Sequence, residues 1–140
     1  MTWAERAEAE LDRAGYRSGG ARRQVIELLA AEKCALTALE MDGRLAAGRA
    51  SIYRTLEQLE QLRLVQRIDA GGDAAGYERL DHSGHHHHLV CRECGLLAPF
   101  ADPALERAIA TVSRTAEFEV DSHDVVLRGR CPRCQAPDLN

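Results

Sequence analysis

The run His85-His86-His87-His88-Leu89-Val90-Cys91-Arg92-Glu93-Cys94-Gly95 decides how this chain is read. It packs imidazoles and thiols together, and neutral imidazole and thiolate are donors that zinc prefers. A second thiol pair, Cys131-Pro132-Arg133-Cys134, follows after 36 intervening residues. Two Cys-x-x-Cys knuckles can close one tetrahedral four-sulfur site with no position left for substrate. The competing readings are two disulfides, or thiols that merely pack. No apolar signal segment stands near Met1, which favours a cytoplasmic chain with a structural zinc on Cys91, Cys94, Cys131 and Cys134. The long spacing makes that site a staple between distant parts of one domain. Cys34 is far from both knuckles and is expected to be a small buried residue.

Strand geometry organises the histidines. If 86–91 is a strand, alternate side chains point to opposite faces. His86 and His88 then share one face, and His85 and His87 the other, so one short strand can feed two metal sites. A solvated polar run is the bland alternative. An affinity tag would be out of place in mid-chain, directly before Leu89-Val90-Cys91.

At 140 residues, 45% of them apolar, the chain can bury a core as one ordinary domain or two small ones. No apolar run is long enough to cross a bilayer, so no membrane partner is expected. Formal charge is −4. Residues 1–80 hold 12 basic against 13 acidic side chains, and residues 81–140 hold 6 against 9. Contact with nucleic acid must therefore come from a local arginine patch.

Residues 2–14 read as a helix with Trp3, Ala7, Leu11 and Ala14 on one face, ended by Gly15. A second helix over 21–31 buries Val25, Leu28 and Leu29. Thr37-Ala38-Leu39-Glu40 fits a capping box and starts a short third helix that buries Leu39 or Met41 with Leu45. A fourth helix over 49–62 turns Ile52, Leu56 and Leu59 inward. Its first turns present Arg49, Ser51, Tyr53 and Arg54. Helix, tight turn, helix places such a face in a DNA major groove, where arginine reaches guanine edges or phosphates and hydroxyls suit phosphate oxygens. Arg17, Arg22 and Arg23 are candidates for backbone contacts. Strands over 64–68 and 77–80, around the glycine-rich 70–76, then make the wing of a winged helix. Residues 81–84 read as a hinge. In the C-terminal part the spacing predicts strands over 96–100, 118–120 and 125–127. Between the first two, a helix begins at Asp102-Pro103 with Leu105, Ile109 and Val112 on a buried face.

With these motifs in place the chain resembles the ferric uptake regulator superfamily over nearly its whole length. The carrying residues are Gly15-Tyr16-Arg17, Ala50-Ser51-Ile52-Tyr53-Arg54-Thr55-Leu56, the histidine and thiol run, His123, and Gly129 through Cys134. The resemblance implies an α+β chain: a winged helix-turn-helix DNA-binding domain at 1–80, a hinge at 81–84, and a small α/β dimerisation domain with a four-cysteine zinc site at 85–140. It implies a homodimeric, metal-sensing repressor that binds palindromic double-stranded operators when loaded, with no small-molecule substrate and no enzymatic activity. His85, His87, Glu106 and His123 resemble the family's site within the dimerisation domain. His86 and His88 resemble its regulatory site at the hinge. Glu78, after the wing aromatic Tyr77, matches the iron- and peroxide-sensing pattern. Asp69, at the end of the first wing strand, matches the zinc-sensing one. Asp81 and His82 are spare candidates. Gly19 and Gly48 stand where helix caps are commonly Ser or Thr, at a cost of only a few tenths of a kcal/mol. The expected regulatory metal is zinc, ahead of iron(II). An iron or peroxide sensor of the same architecture, a zinc hydrolase and a plain zinc-stapled dimerisation module are the alternatives.

Overall fold

A computed structural model describes residues 1–69, 75–81 and 85–136. The expected hinge residue His82 and the tip of the wing lie outside the described residues. The chain opens with helix α1, Trp3–Arg13, and the Thr2 hydroxyl accepts from the Glu5 amide while the Glu5 carboxylate accepts from the Thr2 amide. Trp3, Ala7 and Leu11 are buried. Ala14, expected on the same face, is the exposed C-cap. The Trp3 indole N–H donates to the Leu64 carbonyl at 2.9 Å, tying the first helix to the start of the wing.

Helix α2 (Gly20–Ala31) and helix α4 (Arg49–Gln61) begin behind Gly19 and Gly48, with no side-chain cap at either. Between them lie a two-residue strand, β1 (Leu36–Thr37), and helix α3 (Ala38–Arg44), which carries the capping box foreseen at Thr37 and Glu40. Met41 is fully buried and Leu39 is exposed, which decides between the two. Ile52, Leu56 and Leu59 of α4 are fully buried in the core with Val25, Leu29 and Leu11.

Strands β2 (Val65–Asp69) and β3 (Ala75–Arg79) pair antiparallel, with Gln66 opposite Glu78 and Asp69 opposite Ala75. β1 adds to the other edge of β3, Leu36 opposite Tyr77. Helix-turn-helix plus hairpin is a winged helix.

The second sheet has the order β5-β4-β6. Strand β4 (His87–Cys91) lies between β5 (Leu97–Phe100), antiparallel, and β6 (Val126–Gly129), parallel. The return to a parallel partner needs a long crossover, and helix α5 (Pro103–Thr115) lies within it. Its cap is Asp102, which accepts from the Ala104 amide. A short helix, α6 (Pro132–Gln135), starts directly at Cys131 and was not legible as a helix.

Two expectations for this half are corrected. Residues 118–120 form no strand: they pair with none of β4, β5 and β6, and Phe118 and Val120 lie exposed. No residue of α5 is buried; Leu105 and Ile109 are half-buried and Val112 is exposed.

The two sheets touch directly. A Cβ placed on Gly76 would stand 2.6 Å from Leu97 Cδ1 and 3.2 Å from Ala35 Cβ, so a side chain there would have to push the end of Leu97 aside. The Arg128 guanidinium of β6 donates to the Asp69 carbonyl at 2.9 Å.

Leu56→Ala is expected to cost about 2–5 kcal/mol of unfolding free energy, as for other buried leucines. Thr37→Ala should cost about 0.5–2 kcal/mol by removing its cap. Urea denaturation of the two variants measures both, with Leu56→Ala the larger effect.

Candidate metal centres

Among the described residues three groups of donor side chains converge, each with its ligand atoms within 4.8 Å of one another. The first is Cys91, Cys94, Cys131 and Cys134. Cys91 ends β4, Cys94 follows in the next turn, and Cys131 and Cys134 flank the start of α6. Cys91 Sγ lies 3.7 Å from Cys134 Sγ, and Cys94 Sγ lies 3.8 Å from Cys131 Sγ. A disulfide would need about 2.05 Å. Four sulfurs each about 2.3 Å from a tetrahedral zinc stand about 3.8 Å apart. The residues therefore fit a four-thiolate zinc site. The amide N–H groups of Cys94 and Cys131 donate to Cys91 Sγ and lower its pKa to about 6. Cys134 is pushed up by Cys131 and Cys91, and Cys94 is also raised, by Cys91 against a backbone N–H bond from Leu96. Four thiolates so close repel one another, and a divalent cation at their centre relieves that repulsion.

The second group is His85, His87, Glu106 and His123. His87 is fully buried at the start of β4; Glu106 comes from the first turn of α5. His87 Nε2 lies 2.6 Å from one Glu106 oxygen, and His123 Nε2 lies 2.7 Å from the other. His85 Nε2 is 3.2 Å from His87 Nε2 and 3.1 Å from His123 Nε2. Nitrogens about 2.0–2.1 Å from a tetrahedral ion stand roughly 3.3–3.4 Å apart, so this set fits a divalent metal as well. Hydrogen bonds from His87 and then His123 outweigh desolvation and lower the Glu106 pKa.

The third group joins the two sheets. Glu78 belongs to the wing strand β3, while His86 and His88 belong to the other half. His86 Nε2 and His88 Nε2 lie 2.9 Å and 3.0 Å from the same Glu78 oxygen. Burial alone would raise the Glu78 pKa; the bonds to His88 and His86 overcome it and hold the carboxyl below its ordinary range. Burial likewise opposes the His88 cation, yet Cys34 and Glu78 push His88 up to about 9. Its Nδ1 is buried with no partner among the described residues. A metal bound here must displace protons, so binding weakens in acid.

The fourth member of this group is Cys34, not Asp69. The strand register gives the reason. Glu78 faces Gln66, and Asp69 is three residues further along β2, about 10 Å away at the rise of a strand. The two carboxylates cannot share one ion in this arrangement. Asp81 pairs with Arg79 at 2.9 Å and also stands outside the group. Cys34 is half-buried in the α2–β1 connection instead of packing as an inert core residue. A cleft of about 610 Å³ is lined by Glu78 and His86 of this group and by His85 and His123 of the second.

The predicted DNA-contacting residues lie around α4. Arg17, Arg49, Tyr53 and Arg54 are exposed and Ser51 is half-buried. Arg17, Ser51 and Arg54 line one groove between the turn after α1 and the face of α4. Arg49 is held 2.9 Å from Asp42. Arg22 is corrected: it is buried, donating to Glu8 at 2.7 Å and Asp12 at 2.6 Å, and braces α1 against α2.

Residues 13–128 match the ferric uptake regulator family. The ferric uptake regulation protein of Neisseria meningitidis is 32% identical over 136 residues, covering 91% of this chain and 92% of that protein. That of Bacillus subtilis is 36% identical over 93 residues, 65% of this chain, and the match spans less than two thirds of that relative's length, 62%. Among solved structures, the Helicobacter pylori ferric uptake regulator, described as revealing three functional metal binding sites, superimposes with a TM-score of 0.83. It is 24% identical, over 97% of this chain and 93% of that one. The Pseudomonas aeruginosa regulator with manganese gives a TM-score of 0.69 at 30% identity, over 90% and 98% of the two chains. The extent of the family match and the relative shared along almost its full length establish that this chain belongs to the ferric uptake regulator family.

Proposed function

We propose that the chain is a cytoplasmic, metal-responsive transcriptional repressor, with zinc as the signal, that binds palindromic double-stranded DNA as a homodimer. The observation that carries this reading is the meeting of Glu78 from the wing with His86 and His88 from the other half on one point. Glu78, His86 and His88 would hold the regulatory ion, which when bound supplies a cross-link between the halves. Hydrogen bonds from both imidazoles to Glu78 already make the same contact, so the residues are preset for the closed arrangement. A ligand shifts such an equilibrium only by binding one arrangement more tightly. Donors split between two halves meet that condition, because they converge only when the halves are closed.

Several features support the remaining parts of the proposal. The Cys91, Cys94, Cys131 and Cys134 set suits a permanent structural zinc that stays in place through the switch. Homodimerisation is supported by apolar surface in the second half, where Val112, Phe118 and Leu127 are 67%, 74% and 51% exposed. A C2 pair would carry two copies of α4, as a palindrome requires. Arg17, Arg49, Ser51, Tyr53 and Arg54 are the residues that would meet DNA, the arginines positioning on phosphate or reading guanine. The second reading, an iron or peroxide sensor, is favoured by the oxygen donor at Glu78 and by relatives named for ferric uptake. Those relatives are named as regulators, which weighs against the hydrolase alternative.

Operator binding measured in zinc buffers, with the four-cysteine zinc retained, is expected to tighten on the order of 5–150-fold when the junction fills, the usual range of allosteric coupling. Equal affinity with and without the junction ion ends the proposal. Arg54→Ala should weaken binding and flatten its salt dependence by about 0.9 in log–log slope for each phosphate that the arginine neutralises. A Val112→Glu, Phe118→Glu double variant should sediment as a monomer.

A further inference from the structure

The proposed function leaves Cys34 without a role. This residue sits between the end of α2 and β1, far in sequence from the other donors. β1 fixes its position: Leu36 pairs with Tyr77, so the chain leading into β1 runs alongside Glu78. The sulfur lies within 4.8 Å of the donor atoms of Glu78, His86 and His88. Those neighbours are desolvated: the His88 and Glu78 side chains are 1% and 9% exposed. A thiol that only filled space would be set among apolar groups, not against two imidazoles and a carboxylate.

We infer that Cys34 is the fourth ligand of the junction ion, bound as thiolate, and that it fixes the site's preference for zinc over iron(II) and manganese(II). The inference rests on the junction reading above and deepens it. One sulfur, two nitrogens and one oxygen make a complete four-donor set, the coordination number zinc favours. Thiolate is the soft member of that set. It selects zinc, and cobalt(II) as its spectroscopic stand-in, over ions that prefer oxygen and nitrogen donors alone. Binding expels the thiol proton, as it must for any cysteine ligand. The second cluster, His85, His87, Glu106 and His123, contains no sulfur, so only the junction and the four-cysteine site can give a thiolate–metal signature.

The test uses the full chain, purified with its four-cysteine zinc in place and titrated anaerobically with cobalt(II). Elemental analysis verifies that this zinc is not displaced. The expected result is a thiolate-to-cobalt charge-transfer band in the near ultraviolet, with the intense visible bands of four-coordinate cobalt. A His86→Ala, His88→Ala double variant should lose the charge-transfer band, whatever visible absorption cobalt on the sulfur-free second cluster contributes. Cys34→Ser should lose the charge-transfer band yet still bind cobalt through the remaining ligands. Its zinc affinity should fall at least about tenfold, the loss that even outer-shell partners of a metal cause, and its zinc-over-iron(II) competition ratio should fall with it. Cobalt bound in a His86- and His88-dependent way, but with no charge-transfer band, overturns the role of Cys34 and leaves the junction reading standing. Failure of cobalt and zinc to bind there at all overturns both.

Discussion

A buried carboxylate needs partners, and Glu78, 7% exposed, finds both of its imidazole partners in the other half, one on β4 and one just before it. That single interaction makes the relative orientation of the halves an electrostatic matter. Separation of the halves would leave the Glu78 carboxylate with its Gln66 bond but without both imidazoles, so water or a proton must take their place. The close seat of Leu97 over Gly76 and the bond from Arg128 to Asp69 act in the same direction without any metal. The chain therefore has a closed arrangement that hydrogen bonds hold and that suits a divalent ion in their place.

Strand β4 is the common support of all three donor groups. Its alternation sends His88 toward the wing and His87 toward α5. Its last residue, Cys91, enters the thiol set. Pairing with β5 on one edge and β6 on the other holds the strand straight and central. The thiol set ties the end of β4 to α6, so it fixes the platform from which the histidines reach out. Imidazoles at the start of the strand and a thiol at its end thus serve different donor groups.

Much of this was legible because it is local. Period-two alternation separates the four histidines into pairs, and the Cys-x-x-Cys spacings group the thiols. The Thr37 capping box and the inward face of α4 follow from patterns a few residues long. What could not be read depends on contacts distant in the chain. Cys34 lies 44 positions before Glu78 in the numbering, and only the two-residue pairing of β1 with β3 brings it to the junction. Asp69 and Glu78 were equal candidates until the hairpin register separated them. Arg22 looked like one more exposed arginine because its partners, Glu8 and Asp12, sit on another helix. The stripe on α5 and the apolar residues 118–120 have a core-like pattern, yet they remain uncovered within one chain; apolar periodicity marks what is to be buried without saying by which molecule.

The central claim is that an ion at the junction locks the two halves together. Hydrogen exchange, followed by mass spectrometry on protein whose four-cysteine zinc is kept, tests it most directly. Filling the junction should slow exchange of the wing strand around Glu78 and of the segment carrying His86 and His88 together, as parts of one opening unit. Unchanged exchange in both segments, with the ion demonstrably bound, would contradict the account.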